Sequence, residues 1–304
     1  MNDERSDVLI RSGGDDLAAW VYEPEVGAGP SPCIVMAHGF SATRSDRLPA
    51  YAEHFAAAGF GVVLFDYRGF GDSGGKPRQV IQIKRQQQDY EAAIAFARAQ
   101  DWVDPERVAV FGSSFSGGHA IDLAARDQRI AAVVVQAPFA DGLAQLRITP
   151  RRNAARMTVD GLRDLAASAR GRAPVMIPAA GPPGSYAALT AAEVEPGFAA
   201  IAGPQSRWKN EIGARIMLFV GAWRPLRTAR KVRCPVLVCV CDADETTPPA
   251  PAVKLARNAP RGELVHYPIG HFDIYVGEHF ERAVADQTRF LQRVLMPARV
   301  PAVA

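Results

Sequence analysis

The sequence predicts an α/β fold, a mostly parallel central sheet with helices on both faces. Three observations lead there. Short apolar runs alternate along the chain with longer amphipathic stretches, the pattern of strands joined by helical crossovers. Residues able to do chemistry cluster just after those runs, and open parallel sheets bind their ligands beyond the carboxyl ends of the strands. Residues 107–119, Arg-Val-Ala-Val-Phe-Gly-Ser-Ser-Phe-Ser-Gly-Gly-His, read as a strand, a sharp turn and a helix with a serine at the apex.

Taken in order, residues 8–11 and 17–22 flank Ser-Gly-Gly-Asp-Asp and predict an antiparallel hairpin. Residues 24–32 read as a loop. Residues 33–37 form a buried strand that runs into the turn His38-Gly-Phe40. Residues 48–58 place Tyr51, Phe55 and Ala58 on one helical face. The strand at 61–65 ends in Asp66-Tyr-Arg-Gly-Phe-Gly-Asp-Ser-Gly-Gly75. Residues 85–100 are amphipathic, with Tyr90, Ala93, Ile94 and Ala97 together. The strand at 108–111 and a helix from Ser116 follow, then a strand at 130–136. After a long middle section come a strand (235–241), a helix (250–258), a strand (264–267) and a last helix (278–296).

The middle section breaks the alternation. Residues 141–230 carry Pro174, Pro178, Pro182, Pro183, Pro196 and Pro204 among Ala-rich and Arg-rich helical pieces. The expected organisation is a core of residues 1–139 and 231–304 interrupted by a cap insertion at 140–230, covering the sheet edge. Met157, Met176, Tyr186, Phe198, Trp208, Met217, Phe219 and Trp223 either line an apolar acyl pocket or form the insertion's own core, and the second reading is favoured for most of them.

Composition narrows the class. The 304 residues, 48% of them hydrophobic, suffice for a sizeable core. With 35 basic and 32 acidic residues the net charge is +3, too balanced to call for a nucleic-acid or anionic-membrane partner. The N-terminus is charged with no apolar stretch behind it, so no signal peptide is expected, and no run approaches the ~18 apolar residues of a membrane helix. Cys33, Cys234, Cys239 and Cys241 do not make a disulfide framework. Three lie in or beside strands, where cysteine is a small hydrophobe, and a reduced, cytoplasmic setting follows.

A serine hydroxyl needs an adjacent base to become a nucleophile, and the base needs an orienting carboxylate. Ser114 fits the apex because Gly112 and Ser116, two residues to either side, are small. A frame centred on Ser116 sits too far from the strand end, and Ser113 is flanked by Phe111 and Phe115. His271 stands in a loop between the late strand and the last helix, with Gly270 allowing a tight turn. His38 is expected to order its own loop, His119 lies behind the elbow, His266 is in a strand, and His54 and His279 sit on helices. For the acid, Asp244 is favoured over Asp242, which suits a turn cap, and over Asp141, which follows the 130–136 strand. The oxyanion needs two preorganised donors. The backbone N–H groups of Phe115 and Phe40 are the candidates. No His-Glu-x-x-His or Cys-x-x-Cys pattern is present, so neither a metal nor a cofactor is expected. Gly69-Phe-Gly-Asp-Ser-Gly74 mimics a dinucleotide fingerprint with Asp89 twenty residues on. However, Pro77 follows it, and Asp89 falls inside a helix instead of ending a strand.

His38-Gly-Phe40, Asp66-Tyr-Arg-Gly-Phe-Gly-Asp-Ser73, Gly112-Ser-Ser-Phe-Ser116, Asp244 and Gly270-His271, in this order, resemble the α/β-hydrolase superfamily. The resemblance covers about residues 8–139 and 231–296. Gly-Ser-Ser-Phe-Ser-Gly-Gly-His and Gly-His-Phe-Asp-Ile-Tyr are similar to the branch that includes dienelactone-hydrolase-like proteins and fungal polyketide transferases. A dienelactone hydrolase proper has cysteine where this chain has Ser114, so its substrate is not implied. The resemblance implies Ser114 as nucleophile, His271 as base and Asp244 as orienter. The expected activity is hydrolysis of a small-molecule ester or thioester. Acyl transfer to an alcohol or amine, and a non-catalytic binding protein on the same fold, are the alternatives. A peptidase is a further one, without a propeller or other gating domain in the chain. A homo-oligomer is left open.

Overall fold

The computed structural model describes residues 5–24 and 29–296. Residues 1–4 of the charged N-terminus, 25–28 of the expected loop and 297–304 of the expected core lie outside the described residues. The chain opens with the expected antiparallel hairpin, β1 (Arg5–Ser12) and β2 (Asp15–Tyr22). It continues through β3 (Ser31–Ala37), α1 (Leu48–Ala57), β4 (Gly61–Phe65), α2 (Ile83–Arg98), β5 (Val103–Ser113), α3 (Phe115–Arg126) and β6 (Ala132–Gln136). The middle section holds α4 (Gly142–Ile148), α5 (Arg151–Ala169), β7 (Met176–Ile177), α6 (Val194–Ile201), β8 (Ile212–Gly213) and α7 (Pro225–Thr228), with short 3-10 turns between the last two. β9 (Val236–Cys241), α8 (Pro249–Asn258), β10 (Gly262–Tyr267) and α9 (Gly277–Leu295) complete it.

Eight strands form one sheet in the order β1-β2-β4-β3-β5-β6-β9-β10. The hairpin joins antiparallel through β2 and β4, and every pairing from β4 to β10 is parallel. The pleat sorts side chains between two cores. On one face Val35, Val110, Val133 and Val238 meet Tyr90 of α2, Leu123 of α3 and Leu255 of α8. On the other, Met36, Phe111, Val134 and Cys239 meet Tyr51 and Phe55 of α1 and Phe280 and Leu291 of α9. Burial on both faces explains why the central strands read as continuous apolar runs instead of alternating ones.

The middle section reaches one sheet edge, where Gln205 Oε1 accepts from Arg5 Nη2 of β1 at 3.2 Å. The edges are β1 and β10. The section leaves the sheet at the carboxyl end of β6, an interior strand, and so lies over the carboxyl ends. Its Leu189, Phe198 and Ile201 face the same cavity as Ser114. It is tied internally by the β7–β8 pair and by buried Asp164, whose carboxylate accepts from the Arg215 side chain at 2.8 Å and from Val175 N–H at 2.9 Å. Among the described residues, no helix is long and apolar enough to cross a membrane.

Candidate active site

Parallel pairing brings the chemistry together at one end of the sheet. Ala37, the last residue of β3, pairs with Gly112, and Ser113, the last of β5, pairs with Gln136. The turn after β3 and the turn after β5 are therefore neighbours. At the second of these, Ser114 has φ 55° and ψ −118°, a left-handed region that side chains rarely adopt. The surroundings fix it there. Ser114 N–H donates to Gln136 O at 3.0 Å, and Ser114 O accepts from Gly117 and Phe139 N–H at 3.0 and 2.9 Å. A Cβ at Gly112 would stand 2.4 Å from Ser116 O, which is the close approach the small flanking residues permit. Ser116 lies within α3, and its hydroxyl donates to Ala37 O at 2.7 Å and accepts from Ser113 N–H at 2.7 Å. It pins the elbow to β3 and is turned away from solvent. Ser113 Oγ accepts from Gln136 Nε2 at 3.0 Å and meets the Tyr275 hydroxyl.

Asp244 follows β9 and His271 follows β10, and the two are buried against each other. His271 Nδ1 donates to Asp244 Oδ2 at 2.6 Å. Asp244 Oδ1 accepts from Thr246 and Thr247 N–H at 2.8 and 2.6 Å, and Oδ2 also accepts from the Thr247 hydroxyl at 2.7 Å. Burial alone would push the His271 pKa down. The Asp244 carboxylate, its hydrogen bond and the charge of Glu193 outweigh burial and raise it above the usual histidine value. The other candidate acids are committed elsewhere. Asp242 meets His266 at the surface, 2.7 Å from its Nδ1. Asp141 caps α4 by accepting from Leu143 N–H at 3.0 Å, and it holds Arg224 through two contacts of 2.8 Å. Among the described residues, no hydrogen bond joins Ser114 Oγ to His271, but both side chains line one cavity.

The turn after β3 presses on Ser114. A Cβ at Gly39 would stand 3.0 Å from Ser114 Cβ, so only glycine allows this approach. Phe40 and Phe115 follow on the two turns with their rings edge to face at 5.5 Å. Phe115 opens α3, so its N–H has no carbonyl one turn earlier to bind. Among the described residues, the Phe40 N–H has no backbone partner either. His38 anchors the turn: its Nδ1 lies 3.0 Å from Gly39 O, and its Nε2 accepts from Tyr67 N–H. Burial lowers its pKa, against the pull of Asp66. His119 is buried beside Trp223 and pushed down to about 3 by burial, so it stays neutral.

The glycine loop after β4 opens no helix. Asp89, inside α2, instead accepts from Arg68 N–H at 3.0 Å and from the Ser12 hydroxyl at 2.8 Å. Among the described residues, no group of three or more His, Cys, Asp or Glu is arranged to hold a metal ion.

Comparison with known proteins bears on the family and the fold. The family model described as X-Pro dipeptidyl-peptidase (S15 family) matches residues 13–170. The quorum-quenching protein AidA of Acinetobacter baumannii is 42% identical over 289 residues, covering 95% of each chain. The chain belongs to the S15 family, and with it to the α/β-hydrolase superfamily. The thiohydrolase aneE of Aspergillus aculeatus is 28% identical over 292 residues, covering 89% of this chain and 88% of that one. The crystal structure of the α/β hydrolase GrgF from Penicillium superposes with a TM-score of 0.83 at 23% identity, over 96% of this chain and 99% of that one. It shares the fold.

Within this α/β-hydrolase the aromatic and methionine residues of the middle section take different places. Of the eight residues singled out there, Phe198 lines the Ser114 cavity, with Trp208 stacked on it at 4.6 Å. Met157 is core, Tyr186 donates to Asp160, Trp223 packs against Phe115, and Phe219 is exposed. The cavity wall also uses Leu189 and Ile201, and Leu189 and Thr246 are shared with a second groove lined by Gln145, Asn153 and Val194. Glu193, which meets both the Asp244 loop and the His271 loop, was not visible as a site residue. Sequence gives no local signal for a carboxylate whose partners lie 52 and 78 residues away.

Proposed function

We propose that the protein is a serine hydrolase that cleaves a carboxylic ester or thioester through an acyl-enzyme on Ser114. The observation that carries this is the buried 2.6 Å His271–Asp244 pair and a serine held at φ 55°, with His271 and Ser114 lining one cavity. Asp244 fixes the proton on His271 Nδ1, which leaves Nε2 free to accept the Ser114 hydroxyl proton. Ser114 Oγ then bonds to the acyl carbon. The Phe40 and Phe115 N–H groups hold the oxyanion. His271 returns the proton to the departing alcohol or thiol as its bond to the acyl carbon breaks. Water, deprotonated by His271, releases the acid and restores Ser114. Residues 140–230 act as a cap over this cavity, with Leu189, Phe198 and Ile201 as the apolar wall for the acyl group. The thioester in the substrate class also draws on the name of the aneE relative.

The test is a fluorophosphonate probe followed by intact mass and peptide mapping, then a panel of esters and acyl thioesters of graded length. Labelling at Ser114 that disappears in Ser114→Ala and slows in His271→Ala is expected. Labelling at Ser116, or none in the folded protein, would overturn the reading. Adding an alcohol or amine acceptor separates hydrolysis from acyl transfer by product, and an X-Pro peptide in the same panel tests the activity for which the S15 family is named.

A further inference from the structure

Glu193 stands immediately before α6, in the middle section, and its carboxylate accepts four hydrogen bonds. Oε1 takes the N–H groups of Glu245 and Thr246, each at 2.9 Å, and the Thr246 hydroxyl at 2.7 Å. Oε2 takes the N–H of His271 at 2.7 Å. The first three donors belong to the loop that carries Asp244, and the fourth belongs to the residue proposed as base. A single carboxylate thus bridges the two loops whose spacing decides whether acid and base meet. The local sequence accommodates it: a Cβ at Gly270 would stand 2.5 Å from Glu193 Oε2. Gln145 of α4 adds a second tie from the same section, donating from Nε2 to Thr246 O at 3.0 Å.

We propose that Glu193 is a positioning residue of the reaction, through which seating of the middle section over the site sets the geometry and charge surroundings of the His271–Asp244 pair. This rests on the reading of Ser114, His271 and Asp244 given above. Hydrogen bonds to a carboxylate are among the stronger ones, so four of them on one group reinforce the backbone bonds that already join the two loops, Asp242 N–H to Tyr267 O at 2.8 Å and Ala243 N–H to Ile269 O at 3.0 Å. The charge acts as well. Glu193 adds to Asp244 in favouring the protonated form of His271 against its burial. Among the described residues, the other titratable groups around His271 include Asp273, whose Oδ2 accepts from Gly270 N–H at 2.8 Å, and His38, Asp46 and Tyr275 in the cavity wall.

The test is the rate of fluorophosphonate labelling of Ser114 as a function of pH, in wild type, Glu193→Gln and Glu193→Asp, with folding checked by circular dichroism. The Gln variant keeps an oxygen for one loop but turns an N–H group toward the other and removes the charge. Its plateau rate should fall about tenfold or more, and the midpoint of its acid limb should move to lower pH. The Asp variant keeps the charge but is one methylene too short to reach both loops. Its plateau should fall with the midpoint close to that of wild type. Unchanged rates in both variants would overturn the proposal. So would a slower Gln variant whose midpoint has not moved, because a merely loosened fold would give that. If Glu193→Gln does not fold, an Asp variant that labels at the wild-type rate would overturn it. Absence of labelling in the wild type would instead count against the serine-hydrolase reading itself.

Discussion

Replacing Asp244 with Asn should disable the site through a tautomer and leave the fold in place. Asp244 Oδ1 accepts two backbone N–H groups, from Thr246 and Thr247 at 2.8 and 2.6 Å. In Asp244→Asn those two donors select the amide oxygen for that side, so the amide N–H group must face His271 Nδ1, 2.6 Å away in the native protein. Two donors cannot share that gap. His271 would move its proton to Nε2, and the nitrogen that should take the Ser114 proton would no longer be able to accept it. The loss should approach ~10⁴-fold in turnover, as for the same change in other triads, or about 5.5 kcal/mol of barrier at ~1.4 kcal/mol per decade. The assay is turnover of the best ester from the panel, with fluorophosphonate labelling as a substrate-independent control and a thermal melt for folding. A folded Asp244→Asn protein within about tenfold of wild type would refute the reasoning. The orienting role would then have to pass to another carboxylate, although Asp141 and Asp242 are already paired with Arg224 and His266.

The remaining predictions concern pH, the turn after β3 and the middle section. His271 must be neutral to act as a base, and Asp244 raises its pKa above 6.5 despite burial. Activity should therefore fall as pH drops through a midpoint above the ordinary histidine value, which a kcat/KM profile would show. Gly39→Ala puts a methyl group 3.0 Å from Ser114 Cβ and displaces the Phe40 amide. We expect a loss on the order of 10²-fold in kcat with little change in melting temperature. Asp164→Asn leaves the Arg215 charge buried without its counter-ion and should cost about 3–5 kcal/mol in a denaturant titration. Burial would raise the Asp164 pKa, but Arg215 and two backbone N–H groups hold it below 3.8. Its share of stability is therefore full above the unfolded carboxylate pKa and is lost as pH falls through the lower folded one.

The core of this fold was readable because its signals are local. β5 and α3 betray themselves within thirteen residues, since the strand is a buried apolar run and the elbow needs small residues around Ser114. The same holds for the hairpin and for the turns carrying His38, Asp244 and His271, each placed by the strand before it. Parallel pairing then does the assembly, although the sheet order departs from the chain order at β3 and β4. The middle section gave up much less. β7 and β8 are two residues each and exist only through each other. Leu189 and Ile201 carry no pattern that distinguishes a cavity wall from a core, and the same ambiguity held for the Met and aromatic residues singled out. Sequence shows where an insertion leaves the sheet but not which way it folds.

On the proposed reading of Ser114 and His271, the order of the strands also governs when the chain becomes reactive. During synthesis the elbow with Ser114 emerges early, the segment bearing Glu193 next, Asp244 after that, and His271 last. β10, which delivers His271, is an edge strand whose sheet partner among the described residues is β9 alone. Pairings between distant parts of a chain are slow to form. A nascent or partly folded molecule can therefore own a complete elbow and still lack a base. Reactivity at Ser114 would then report the docking of the final strand, which makes a covalent serine probe a clock for the completion of folding as well as a measure of activity.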